Sequence, residues 1–92
     1  LNKYGRMRLN YLKEHKKALY TSLLMKEELT NHLISVSKSS EDLLNTLMES
    51  YKKSDERLFE KNKKRNHIEW AKLMNNYKIT AEEIILKEYI FI

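Results

Sequence analysis

The sequence predicts an all-α fold, a small antiparallel helical bundle of three long helices plus a short connecting helix, forming a single domain over residues 1–92. Three observations predict it. The chain contains one glycine and no proline, the residues that punctuate sheets, hairpins and phosphate loops. Apolar side chains recur at spacings of three and four over most of its length, the period of a helix with one buried face. A chain of 92 residues, 41% hydrophobic and 34% charged, is also too short to divide between two cores.

The first helix is predicted over residues 4–25, about five turns. Tyr4, Met7, Tyr11, His15, Ala18, Leu19 and Ser22 fall on one face, with Leu12 and Leu23 at its shoulder. Lys3, Arg6, Lys13 and Lys17 fall opposite. Arg8 lands on the apolar face, where a guanidinium needs a partner. The second helix is read from Lys26 to Lys53, with Leu29, Leu33, Val36, Ser40, Leu43, Leu47 and Tyr51 at near-heptad spacing. SVSKSS (residues 35–40) reads either as a loop capped by Ser39 or Ser40, or as helix. The apolar phase passes through it unbroken, which favours one continuous helix. Residues 54–65 carry only Leu58 and Phe59 as large apolar groups, so a turn or two capped by Ser54 and then a basic connection is expected. Asn66 opens the last helix, with Glu69 at the capping-box position. Trp70, Leu73 or Met74, Tyr77, Ala81, Ile84 or Ile85, and Tyr89 follow at helical spacing. The apolar end, KEYIFI, must pack on this domain or on a partner.

Composition narrows the classes of function. Cysteine is absent, which excludes disulfides, thiol chemistry and thiolate metal sites. No apolar run approaches the ~20 residues a membrane span needs. The basic N-terminal stretch lacks the hydrophobic block and small-residue site of a leader. A cytoplasmic location is the resulting expectation. The net charge of +5 is uneven: residues 1–17 carry six cations against Glu14 alone, and the rest of the chain sums to zero. A second basic cluster, Lys61, Lys63, Lys64 and Arg65, is offset by acids elsewhere.

Four stretches resemble a known family: YGRMRLNYLKEHKKALYTSLL (4–24), LTNHL (29–33), IEWAKLMNN (68–76) and AEEIILKEYI (81–90). They are similar to the transposon-encoded TnpV proteins of Gram-positive bacteria, and the match covers both ends and most of the chain. The resemblance implies an association with conjugative and mobilisable transposons. It carries over no catalytic or ligand residues. Relatives often have glycine near the end of the first helix, where this chain has Met25-Lys26-Glu27, which leaves two alternatives open, a tight turn or a straighter passage between helices. With Arg8 in the first shared motif and Glu82 and Glu83 in the last, packing of the terminal helices would pair Arg8 with one of those carboxylates.

No enzymatic chemistry is predicted. None of His15, His32 and His67 has a second ligand histidine at helical spacing. His15 reads as a half-buried core group and the other two as surface. Adjacent carboxylates such as Glu27–Glu28, Glu41–Asp42, Asp55–Glu56 and Glu82–Glu83 diverge by ~100° on a helix and do not converge on one atom. Phosphate loops, dinucleotide fingerprints and nucleophile elbows are missing. No metal, cofactor or small-molecule substrate is expected.

The remaining candidate is the basic face of the first helix, Lys3, Arg6, Lys13 and Lys17 with Lys16 at its edge. Such a stripe meets DNA phosphates in a salt-sensitive, sequence-tolerant way; the plain alternative is a solvated face. No helix-turn-helix is evident for base readout. The other function class is a helical interaction module, a homodimer or an adaptor to recombination or transposition proteins. A marginal core, the heptad-like second helix and the apolar tail all point that way. A membrane-surface role is weakest, since Tyr, His and Arg8 dilute the apolar face.

Overall fold

Asn2 begins the helical structure. In the computed structural model, which describes residues 1–92, its side chain accepts from the amides of Tyr4 (3.0 Å) and Gly5 (3.1 Å). It thereby caps α1, Lys3–His15, supplying an acceptor that the first turn lacks. The expected five-turn helix is divided at Lys16, whose backbone (φ −132°, ψ 54°) is not helical, and α2 runs Lys17–Met25. The reason is tertiary. Asn2 bonds to Ser37 and Arg8 to His32, so α1 lies antiparallel to the next long helix. By Leu12 it has reached that helix's N-terminal end. A straight continuation would carry nine more residues, ~13 Å, into solvent; the bend turns them across the end of the bundle.

The turn after α2 is tight although it has no glycine. The Glu28 amide donates to Leu23 (2.9 Å) and the Glu27 amide to Leu24 (3.1 Å), the crossed pair that closes a helix through a left-handed residue. Glu27 fills that position with φ 59°. The straighter passage is not taken.

α3, Leu29–Ser54, is one helix of 26 residues. It passes through residues 35–40 unbroken, as the apolar phase predicts. Leu33, Val36, Ser37 and Ser40 are buried along it. The serines are neither caps nor loop formers: they are small residues beneath α1. A Cβ on Gly5 would collide with Ser37 Oγ, so glycine and serine together set the close approach.

Ser54 caps no helix; it ends α3 and donates back to Ser50 (2.9 Å). The capping role falls to Asp55, which accepts from the Arg57 amide (3.0 Å) at the head of a 3-10 turn, Glu56–Leu58. A short α4, Glu60–Arg65, leads to Asn66, which accepts from the Glu69 amide (3.3 Å) and caps α5, His67–Ile85. The sequence-derived cap is therefore the observed one.

α5 returns antiparallel to α3, with Tyr77 stacked on Tyr51 at 4.6 Å between centroids. It ends in a π turn, Leu86–Ile90. In an α-helix Ile85 and Ile90 would point ~140° apart; the i→i+5 turn places residues five apart on one face. Both are completely buried.

The core lies where α1, α3 and this turn meet: Tyr4, Val36, Ile85 and Ile90, flanked by Met7, Leu43, Leu44, Leu86 and Tyr89. Away from it the bundle thins. α2 buries no residue, and Leu19, assigned to a core face by spacing, is exposed. The molecule is a rod of 55 × 19 × 17 Å. No helix is long and apolar enough to cross a membrane.

Candidate nucleic-acid interface

The bend at Lys16 rearranges the basic stripe. Lys3, Arg6 and Lys13 lie on α1, Lys16 sits at the bend, and Lys17 begins α2 on a new path. The straight row expected from periodicity is broken at the bend. Lys3 is set apart from the others. Its ammonium bonds Glu82 at 2.8 Å, which holds its pKa above the ordinary lysine value against a smaller opposing effect of burial. Arg6 donates only to the Leu1 carbonyl (3.3 Å), and the Lys13 ammonium lies 5.8 Å from the Tyr20 ring. Arg6, Lys13, Lys16 and Lys17 are all exposed, and none has a carboxylate partner. Asn10, also exposed, stands between Arg6 and Lys13; its i+4 spacing from Arg6 was the available signal for including it.

Arg8 is buried, with 4% of its surface exposed, but it pairs with neither Glu82 nor Glu83. Nη1 donates to the main-chain oxygens of Ile90 and Ile92, both at 2.8 Å, and Nε donates to His32 Nε2 at 3.2 Å. Glu82 is taken by Lys3, and Glu83 is exposed. Neither the Arg8–Glu82 nor the Arg8–Glu83 pair expected from the sequence forms. Arg8 meets the end of the last helix, where carbonyls lack intrahelical donors and the dipole is negative. The carboxylates sit two turns earlier, level with Lys3.

The histidines exchange roles. His15 is exposed, whereas His32 is half-buried beneath Arg8. Burial first, and the Arg8 charge second, lower the His32 pKa, consistent with a neutral ring accepting from the guanidinium. Nowhere do three His, Asp or Glu side chains gather as metal ligands would.

The far end of α3 carries the second basic cluster. Lys61, Lys63, Lys64 and Arg65 occupy α4 and are exposed. Beside them, Arg57 forks onto Asp55 through Nε (3.0 Å) and Nη2 (2.8 Å), and Tyr77 donates to the same carboxylate (2.7 Å). Those bonds hold the Asp55 carboxyl well below the usual range. The Trp70 indole donates to the Leu58 carbonyl (3.0 Å). α3, ~39 Å long, separates this cluster from the α1–α2 bend.

The family model described as transposon-encoded protein TnpV matches residues 1–90. The chain belongs to that family. No curated protein and no solved structure matches it. As a TnpV protein it is associated with a transposon. The fold shows what the two terminal stretches of this TnpV chain do for each other: residues of 4–24 and 81–90 meet through Arg8–Ile90, and Lys3–Glu82 adds a bond beside them.

Proposed function

We propose that this TnpV protein is a non-enzymatic accessory factor of its transposon that contacts DNA through the cations at the α1–α2 bend. The observation that carries this reading is their lack of partners. Arg6, Lys13, Lys16 and Lys17 are exposed without a carboxylate, so each has its full charge to offer a phosphate and counterions to release. The contact is to backbone and tolerates sequence. Binding to mixed-sequence duplex DNA should fall with salt, with a log–log slope of about −3 to −4 for four phosphates. Reversing Arg6, Lys13 and Lys17 to Glu should abolish it, whereas Lys3→Gln, already held by Glu82, should change it little. No retention on duplex at low salt would remove this reading.

A second reading, a helical module that pairs with its own copy or docks on recombination proteins, is favoured by the surface. The chain exposes 6574 Å², against about 5,700 Å² for a compact monomer of its mass. The excess is about the size of one partner's share in a standard interface. α2 is its natural centre, since Leu19, Leu24 and Met25 are all exposed there. Sedimentation at micromolar concentration should show a dimer that Leu24→Glu with Met25→Glu dissociates. A strict monomer would exclude self-pairing.

A further inference from the structure

We propose that the cleft around Trp70 is a second nucleic-acid site, built for single-stranded polynucleotide. The cleft, about 410 Å³, lies between the 3-10 turn, α4 and the start of α5, and is lined by Arg57, Asn62, Arg65, Asn66, Glu69 and Trp70. All of these side chains but Arg65 already hold a partner: Arg57 is forked onto Asp55, Asn62 donates to the Glu56 carbonyl at 2.6 Å, the Asn66 amide donates to Glu69 at 3.2 Å, and the Trp70 indole donates to Leu58. Arg65 has neither a carboxylate nor a hydrogen-bond partner for its side chain. Lys63 places its ammonium 4.7 Å from the indole centroid, a cation–π contact made by the electron-rich face of the ring.

A half-buried indole, anchored at its edge through Nε1 and carrying a flexible lysine over its ring, offers a stacking platform at the cleft. A base displaces the Lys63 ammonium from the ring, and the freed ammonium with Arg65 meets the flanking phosphates. This combination of aromatic face and cationic rim binds single strands with little sequence preference. A duplex keeps its bases stacked on one another and cannot present one to Trp70. The site is independent of the cations at the α1–α2 bend, which lie beyond the length of α3. Nothing on the cleft distinguishes deoxyribose from ribose, so the shared chemistry is an unpaired base with its phosphates.

The chain has a single tryptophan, so the site reports on itself. Titrating the full chain with oligothymidylate should quench Trp70 emission, with affinity falling as salt rises. Oligouridylate in a parallel titration tells whether DNA or RNA binds more tightly, and quenching by either supports the site. Lys63→Ser with Arg65→Ser changes two exposed side chains that hold no part of the core, and should weaken binding at least tenfold. Trp70→Phe should keep part of the affinity, and Trp70→Leu should lose about tenfold or more, both read by anisotropy of a labelled strand. The Arg6, Lys13 and Lys17 reversal should leave the quenching intact, which separates this site from the duplex contact. Emission unchanged at saturating oligonucleotide, or inorganic polyphosphate competing equally well with no loss in Trp70→Leu, would overturn the proposal.

Discussion

Arg8 joins the two ends of the chain by hydrogen bonds that no other side chain type reproduces. One nitrogen serves the main-chain oxygens of both Ile90 and Ile92, and another reaches His32. Arg8→Met keeps the volume but strips two main-chain oxygens of their donor, and should cost about 3 kcal/mol in denaturant unfolding. A loss under about 1 kcal/mol would mean that water serves those oxygens equally well. His32 adds a pH dependence. Burial and Arg8 lower its folded pKa below the ordinary 6.5, so the unfolded chain takes up the proton first. Stability is unaffected by this group above about pH 6.5, and declines as pH falls through that value towards the folded pKa. The melting temperature should drop between about pH 7 and 5, and the drop should shrink in His32→Gln, which keeps an acceptor for Arg8. Spacing placed Arg8 on an apolar face and thereby flagged it. It could not name a partner 82 positions away that is a carbonyl, because backbone groups carry no sequence signature.

At the scale of elements, two places run against local preference. Glu27 holds a left-handed conformation at the turn between α2 and α3, where a side chain costs about 1 kcal/mol relative to glycine. Glu27→Gly should therefore raise stability by about 1 kcal/mol, and a decrease would mean that the glutamate contributes something the turn geometry does not show. Ser40 is fully buried on α3, with a hydroxyl that has no partner. Ser40→Ala removes that unmet group and improves helix propensity, so a gain of about 1 kcal/mol is expected in the same assay. The continuity of α3 and the Asn66 cap were legible because each is set by residues within one or two turns. The break at Lys16 was not. No proline, glycine or capping side chain marks it, and α1 stops there only because α3 ends beside it.

For the whole molecule, shape is the distinctive feature. The radius of gyration, 16.8 Å, exceeds the ~12 Å of a compact chain of this length, and the core gathers at one junction while both ends stay thinly covered. If copies pair through α2, folding and association are linked, and the melting temperature should rise with protein concentration. The Leu24→Glu, Met25→Glu variant should melt at one temperature whatever its concentration. A wild-type melting temperature independent of concentration would leave the rod as a monomer with an open apolar end.

Residues close together along the chain settle that it is helical, where α3 and α5 run, how α5 is capped, and which family it belongs to, because periodicity, caps and motifs are short-range properties. Tertiary packing alone bends the first helix, closes Arg8 on main-chain oxygens while Lys3 takes Glu82, and shelters His32 rather than His15. It also gathers Arg57, Arg65 and Trp70 around one cleft. Those outcomes depend on which surfaces meet across tens of residues, and a helical pattern states which face is apolar without stating what will cover it.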